Sequence, residues 1–90
     1  MLLKGKNVLI TGAGVRVGRS LALAAARAGA DVIIHYGRSQ VEAAQTAAEI
    51  RRIGARAELL QADLGDPSQV ESLIERAQVF GPLYALINNA

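Results

Sequence analysis

Short apolar runs alternate with longer helix-forming segments along the chain, and few folds accommodate that order. The four runs are rich in Val, Ile and Leu and have the length of strands buried on both faces. They are Asn7–Thr11, Asp31–Tyr36, Ala57–Ala62 and Leu83–Ile87. The segments between them predict helices, so the order of elements is β-α-β-α-β-α-β.

Start and stop signals delimit the three helices. The first is predicted from Val17 to about Ala28, with Gly29 as its stop. Ser39 and Glu42 match a capping box that opens the second helix, which ends at Gly54. The third has Asp66 at the N-cap, Pro67 at N1, Gln69 at N3 and Gly81-Pro82 as its stop.

Strands that alternate with helices of this length form parallel sheets through right-handed crossovers, with helices on both faces. Apolar residues spaced three and four apart in the second and third helices would cover such a sheet. They are Ala43, Ala47, Ile50, Ile53, Val70, Leu73, Ile74 and Ala77. The predicted fold class is α/β, the first half of a Rossmann-type doubly wound parallel sheet with spatial strand order 3-2-1-4.

Composition excludes several classes of protein. No apolar run reaches the length of about 18 residues that a membrane span needs. The absence of cysteine excludes disulfide scaffolds, thiolate metal sites and cysteine nucleophiles, and it fits the cytoplasm. Ten basic and eight acidic residues are scattered and give a net charge of +2. We therefore expect no membrane partner, no nucleic-acid partner and no metal site.

The glycine-rich turn Thr11-Gly12-Ala13-Gly14-Val15-Arg16-Val17-Gly18 joins the first strand to the first helix. A tight turn there needs residues without a Cβ, and the free N–H groups that open the helix suit a pyrophosphate. Such turns also occur without a ligand, and methyltransferases use a similar one. In this first βαβ unit we interpret the turn as a nucleotide site formed by Gly12, Gly14, Val15, Arg16, Val17 and Gly18.

The end of the second strand indicates which nucleotide binds. An NAD site usually has Asp or Glu there, to bind the ribose 2′-hydroxyl. The chain instead reads His35-Tyr36-Gly37-Arg38-Ser39, and Arg38 would attract a 2′-phosphate that a carboxylate would repel. Simpler explanations exist: Arg38 as a solvated arginine, Ser39 as a helix cap and His35 as an ordinary strand residue. Without an acid, the tip predicts NADP(H), bound by His35, Tyr36, Arg38 and Ser39.

Two further strand ends carry candidate residues. Ala62-Asp63-Leu64 follows the third strand, where Asp63 either accepts a hydrogen bond from an adenine amino group or closes the turn that follows. Asn88-Asn89-Ala90 ends the fourth strand, beside the first. Asparagine there either ties strand ends together or contacts the ribose. We assign Ala62, Asp63, Leu64, Asn88 and Ala90 to the cofactor site.

These motifs together resemble the short-chain dehydrogenase/reductase family. Its turn is Thr-Gly-x-x-x-Gly-x-Gly, its third strand ends in Asp and an apolar residue, and its fourth ends in Asn-Asn-Ala-Gly. The matching residues in this chain are Thr11, Gly12, Gly18, Asp63, Leu64, Asn88, Asn89 and Ala90. The resemblance implies an oxidoreductase that acts on a small-molecule substrate as a homo-oligomer, either a dimer or a tetramer.

Arg16 stands where the family has the middle glycine of the turn. Together with the His-Tyr-x-Arg-Ser tip, it resembles the pteridine reductase subgroup, which uses NADPH. That resemblance implies that Arg16 reaches the cofactor phosphates or an anionic part of the substrate, and that His35, Arg38 and Ser39 surround the 2′-phosphate. Reductases of 3-oxoacyl carriers, ketones and sugars share most of these motifs, so we expect reduction of a C=O or C=N group.

Family catalysis uses a Tyr-x-x-x-Lys pair, a preceding serine and a further asparagine. Neither Tyr36 nor Tyr84 is followed four residues later by lysine. A four-stranded sheet that ended at the fourth run would also expose an apolar edge. We therefore expect residues 1–90 to be the NADP(H)-binding half of a longer reductase, with no catalytic residue among them. The alternative is a non-catalytic NADPH-binding module.

Overall fold

The computed structural model describes residues 2–89 and contains four strands and three helices in that range. In chain order they are β1 (Asn7–Thr11), α1 (Arg16–Arg27), β2 (Asp31–Tyr36), α2 (Gln40–Ile53), β3 (Ala57–Gln61), α3 (Pro67–Gln78) and β4 (Leu83–Asn88). The predicted order of elements is confirmed. The ends of the strands and of α1 agree with the predictions to within one residue, whereas α3 ends at Gln78, three residues before the predicted stop at Gly81. None of these helices is long and apolar enough to cross a membrane.

The four strands form one parallel sheet in the order β3-β2-β1-β4, as predicted. β1 lies inside the sheet, where Val8 is paired with Val32 of β2 and with Ala85 of β4. The register between β1 and β4 shifts between Asn7 and Val8, at the amino end of the strands. Because all strands run the same way, the loops after their carboxyl ends meet at one edge.

Helices cover both faces of the sheet, which confirms the doubly wound prediction. Successive strand residues point to opposite faces, so β1 and β2 supply two apolar clusters. The cluster shared with α1 and α2 contains the strand residues Val8, Ile10, Val32 and Ile34. The cluster shared with α3 contains Leu9, Ile33, Leu73 and Ala77. Of the predicted apolar helix faces, only Ile53 and Val70, near helix ends, stay exposed.

Helix α3 has the predicted side-chain cap and α2 does not. Asp66 accepts hydrogen bonds from the backbone N–H of Ser68 at 3.0 Å and from its hydroxyl at 2.7 Å. Ser39 occupies the N-cap position of α2, but its side chain makes no capping hydrogen bond, so the predicted capping box is wrong. The ψ of 58° at Ser39 departs from the extended backbone typical of a capping residue.

The Asp66 cap predicts a pH-dependent contribution to stability. Hydrogen bonds from the Ser68 hydroxyl, and then from the Ser68 N–H, lower the pKa of the Asp66 carboxyl. A carboxyl whose pKa is lowered by folding stabilises the folded state at neutral pH, and that stabilisation is lost as the pH falls below about 4. We expect Asp66→Ala to lower the urea midpoint near neutral pH and to have a smaller effect in acid.

Asp66→Asn is the matched control, because it keeps a capping oxygen that does not titrate. Its urea midpoint relative to that of Asp66→Ala should stay constant over the same pH range. A difference between wild type and Asp66→Ala that did not change on acidification would contradict the prediction.

Candidate functional site

The loops that follow β1, β2 and β3 enclose a cavity of about 420 Å³ at the carboxyl edge of the sheet. Its lining residues are Gly12, His35, Gly37, Arg38, Gln61, Ala62, Asp63, Leu64 and Gly65. Six of these are predicted site residues, and the structure adds Gly37, Gln61 and Gly65. The Gln61 side chain donates from Nε2 to the Gly37 carbonyl at 3.0 Å. No local motif marks Gln61, because this contact joins the end of β3 to the loop after β2.

Gly12 and Gly18 are required by the geometry of the turn, Gly12 by its backbone angle and Gly18 by a close approach. Gly12 has a φ of 64°, which favours glycine. Its carbonyl oxygen accepts a hydrogen bond from Nδ2 of Asn89 at 3.3 Å. A Cβ on Gly18 would overlap that same carbonyl and lie 2.6 Å from Nδ2 of Asn89. Gly18 thus permits α1 to approach the ends of β1 and β4 closely.

Gly14 faces helix α2. It is buried, and a Cβ on it would lie 3.1 Å from the backbone nitrogen of Ala43. Its carbonyl accepts a hydrogen bond from the Thr46 hydroxyl at 3.2 Å. The side of Gly14 where a side chain would stand is therefore filled by α2, and a cofactor contact at Gly14 is limited to its backbone.

A second cavity, of about 350 Å³, lies at the start of α1 and is lined by Gly12, Val15, Arg16, Val17 and Asn89. Gly12 belongs to both cavities, so the two adjoin. Val15 is the N-cap of α1, with extended backbone and no side-chain cap, and the first turn carries no acid. The first backbone N–H groups of a helix have no partner inside it and carry partial positive charge. This end of α1 is suited to an anion.

Arg16 opens α1 with a φ of 53°, in the left-handed region. Residues with a Cβ adopt that region at a cost of about 1–2 kcal/mol, which glycine avoids. The strain explains on physical grounds why a glycine would fit the position better. The Arg16 side chain is exposed, and it adds a full positive charge to the helix end.

The structure places His35 inside the sheet edge. The side chain is only 2% exposed, and both ring nitrogens are engaged with backbone groups. Nδ1 accepts the N–H of Gly12 at 3.1 Å, and Nε2 lies 2.9 Å from the carbonyl oxygen of Ala62. His35 therefore lines the cavity but has no free nitrogen for a phosphate, which corrects the expectation that its ring surrounds the 2′-phosphate.

The rest of the β2 tip divides between the core and the cavity. Tyr36 is half-buried against the cluster beneath α1 and α2, and its carbonyl accepts the N–H of Ala62 at 3.2 Å. Arg38 is exposed in the cavity wall. Ser39 follows it at the start of α2, with a hydroxyl that does not cap the helix. Arg38 is thus the exposed cation of the tip, and the partly buried Ser39 beside it has a hydroxyl that α2 does not use.

Asp63 performs the turn-closing role that the sequence left open. Its Oδ1 accepts the N–H of Gly65 at 2.9 Å, and its own N–H donates to Oε1 of Gln69 at 2.6 Å. The carboxylate is exposed at the wall of the larger cavity, beside Leu64. Contact with an adenine amino group stays a prediction.

Asn88, the last residue of β4, and Asn89, which follows it, hold two strand ends together. The Thr11 hydroxyl donates to Oδ1 of Asn88 at 3.0 Å and accepts the backbone N–H of Asn89 at 2.9 Å. Asn89, which belongs to the motif but was not predicted to bind the cofactor, also donates from Nδ2 to the Gly12 carbonyl. Ala90 lies outside the described residues. Among residues 2–89, no cluster of three or more His, Asp or Glu side chains could hold a metal ion.

Comparison with known proteins identifies the family. The family model described as short chain dehydrogenase matches residues 6–90. The chain belongs to the short-chain dehydrogenase family. The resemblance seen in the motifs is confirmed, and the pteridine reductase subgroup stays a prediction.

Relatives of this short-chain dehydrogenase chain agree in sequence and in fold. L-rhamnose 1-dehydrogenase (NAD(P)(+)) of Sphingomonas sp. (strain SKA58) is 40% identical over 90 residues, which cover 99% of this chain and 35% of that protein. Versicolorin reductase of Emericella nidulans is 39% identical, over 98% of this chain and 34% of that protein.

Among solved structures, a short chain dehydrogenase from Burkholderia cenocepacia J2315 in complex with NADP has a TM-score of 0.96 and 40% identity. That match covers 100% of this chain and 37% of the other chain. The chain thus spans about a third of the length of the relatives it matches.

The close approach at Gly18 predicts that this position does not tolerate a side chain. Gly18→Ala would force apart the Gly12 carbonyl and the Asn89 side chain, and such overpacking costs about 1–3 kcal/mol. We expect a lower urea midpoint for this variant. Gly37→Ala is the control, since the nearest atom to its Cβ is 4.0 Å away. Equal midpoints for the two variants would contradict the prediction.

The left-handed backbone at Arg16 predicts that glycine stabilises the fold there. Arg16→Gly removes a conformational cost of about 1–2 kcal/mol and adds about 0.5–1 kcal/mol of backbone entropy loss. We therefore expect a net gain of up to about 1.5 kcal/mol in the free energy of unfolding. Ser20→Gly, at an exposed site inside α1, should instead destabilise the protein. Destabilisation by both substitutions would show that Arg16 is not strained.

Proposed function

We propose that the protein is an NADPH-dependent oxidoreductase that reduces a C=O or C=N group, and that residues 1–90 form its NADP(H)-binding half. The observation that carries the proposal is Arg38, exposed in the wall of the larger cavity at a strand tip that has no carboxylate. Two comparisons support the proposal: the chain belongs to the short-chain dehydrogenase family, and the similar Burkholderia structure is a complex with NADP.

The residues at the strand tip fit a 2′-phosphate. Arg38 supplies a guanidinium that can bind two phosphate oxygens, and the Ser39 hydroxyl is not used by the helix it begins. The nearest acids in the sequence are not at the tip. Asp31 lies at the other end of β2, where its Oδ1 accepts the N–H of Arg56 at 2.9 Å, and Glu42 lies within α2. The tip itself therefore carries the positive charge of Arg38 and no acid, which favours NADP(H) over NAD(H). The Asp63 carboxylate lies in the same cavity wall, but on the loop after β3.

The remaining parts of the cofactor have matching surfaces. The pyrophosphate would meet the uncapped first turn of α1, with the amides of Arg16, Val17 and Gly18 and the Arg16 side chain. The adenine would lie in the larger cavity beside Asp63 and Leu64. When bound, NADPH supplies the hydride of the reduction. The chain's own residues bind and orient the cofactor, and none of them is assigned a chemical step.

The substrate is proposed to be a small molecule with a carbonyl, 3-oxoacyl or pterin-like group. The names of the relatives, a sugar dehydrogenase and a versicolorin reductase, agree with carbonyl and alcohol chemistry. Since the chain spans about a third of these relatives, we propose that the catalytic serine, tyrosine and lysine of the family follow residue 90. A cytoplasmic dimer or tetramer completes the proposal.

A non-catalytic NADPH-binding module is the second candidate. It is favoured by the absence of a Tyr-x-x-x-Lys pair within residues 1–90. Assays of NADPH oxidation with ketone, 3-oxoacyl and pterin substrates distinguish the candidates. Turnover of any of them supports the reductase, and tight NADPH binding without turnover supports the module.

The role of Arg38 predicts a change in cofactor preference on charge reversal. Arg38→Asp replaces an attractive partner of the 2′-phosphate with a repulsive one and leaves the rest of the site in place. We expect NADPH binding to lose about 1.5–3 kcal/mol, roughly a 10- to 150-fold increase in Kd, and NADH binding to change little. Titration calorimetry with both cofactors measures the effect.

Arg56→Asp is the matched control, because it makes the same charge change at an exposed residue at the opposite end of β3. It should leave both dissociation constants unchanged. Equal losses of NADPH and NADH affinity in Arg38→Asp would overturn the assignment of Arg38 to the 2′-phosphate.

A further inference from the structure

We infer that His35 is a positioning residue. Its buried ring forms hydrogen bonds to the loops after β1 and β3, and so sets the geometry of the carboxyl edge of the sheet, where the cofactor is proposed to bind. This inference rests on the proposed function of that edge. His35 is the last buried residue of β2, and β2 lies between β1 and β3 in the sheet. Its side chain is therefore placed to reach both neighbouring loops.

The two ring contacts define the protonation of the imidazole. Nδ1 receives the N–H of Gly12 at 3.1 Å, so this nitrogen acts as an acceptor and carries no hydrogen. Nε2 lies 2.9 Å from the carbonyl oxygen of Ala62, which can only accept, so Nε2 carries the hydrogen. The ring is therefore the neutral Nε2–H tautomer, with both nitrogens in use.

Backbone groups of the same strand reinforce the contacts of the ring. The His35 carbonyl accepts the N–H of Ala13 at 3.2 Å, so His35 binds two successive amides of the glycine-rich turn. On the other side, the N–H of Ala62 donates to the Tyr36 carbonyl, while its carbonyl accepts from the ring. The Gly12 and Ala62 peptides are each held at fixed orientations.

This arrangement divides the amides of the turn into those that bind β2 and those that can bind an anion. The N–H groups of Gly12 and Ala13 bind β2 and are not available to a phosphate. An anion at the turn must therefore be bound by the amides that follow, toward the first turn of α1. His35 thus determines which amides of the turn can bind the pyrophosphate. Through Ala62, it also fixes the position of the cavity wall against which the adenine is proposed to lie.

His35 should therefore act on the part of the cofactor that NADP and NAD share. The pyrophosphate and adenine are common to both, whereas only NADP has the 2′-phosphate. A positioning residue weakens both cofactors by the same factor. A residue that contacts the 2′-phosphate weakens NADP alone, as expected for Arg38. The ratio of the two dissociation constants separates these roles.

The experiment measures the Kd values of NADP⁺ and NAD⁺ by titration calorimetry in the protein at its natural length. His35→Phe keeps an aromatic ring but removes both hydrogen bonds. We expect it to raise both Kd values about tenfold, the equivalent of about one hydrogen bond, without changing their ratio. His35→Asn keeps an acceptor near Gly12 but is too short to reach Ala62, so its Kd values should lie between those of wild type and His35→Phe.

Ile50→Val is the control for general destabilisation. Ile50 is fully buried in α2 and does not line the larger cavity. Its Kd values should match those of wild type even where its urea midpoint falls. Unchanged Kd values in His35→Phe, or a loss confined to NADP⁺, would overturn the inference. Wild-type protein that binds neither cofactor would instead overturn the proposed function.

The tautomer gives a test that needs no substitution. Ring ¹⁵N chemical shifts of labelled wild-type protein should show the hydrogen of His35, the single histidine of the chain, on Nε2 and a bare Nδ1. Hydrogen on Nδ1 would be incompatible with acceptance from Gly12 and would refute the inference even if His35→Phe failed to fold.

Discussion

Parallel pairing of β1 with β2 on one side and β4 on the other is the constraint on which the site depends. It requires β1 to be buried from both faces, and Leu9 and Ile10 are fully buried between α3 on one side and α1 and α2 on the other. Parallel pairing also brings the carboxyl ends together, so one edge receives the glycine-rich turn, the basic tip of β2 and the loop that carries Asp63.

The helix ends at this edge differ in how they are capped. Helix α3 begins with Asp66, which satisfies its own first turn, whereas α1 and α2 begin without side-chain caps beside Arg16 and Arg38. Uncapped amides and arginines together concentrate positive charge at these two helix ends. The strained backbone at Arg16 is consistent with this positive charge. An arginine in the left-handed region makes the local backbone less stable than glycine would, but it places a cation where the pyrophosphate is proposed to lie.

Local rules predicted the fold well because each element carries its own signals. Gly54 ends α2 with a φ of 104°, and Pro67 follows the cap of α3, as their positions in the sequence indicate. The Ser39 capping box was wrong, because the oxygen of a cap depends on a backbone angle that residue types do not specify. Asn89 was recognised as part of a motif that ties strand ends together, but its contact with the Gly12 carbonyl could not be specified from the sequence. Gln61 was missed, since it acts on a loop distant in sequence.

The residues alone determined the order of elements along the chain, the position of the glycine-rich turn and the basic character of the β2 tip, because periodicity, turn chemistry and charge are properties of short segments. Only the tertiary structure decided which polar groups are free. It shows both nitrogens of His35 bound to Gly12 and Ala62, and Arg38 exposed. The hydrogen-bond partners at this edge come from segments distant in sequence, so these contacts form only when the sheet has brought the segments together.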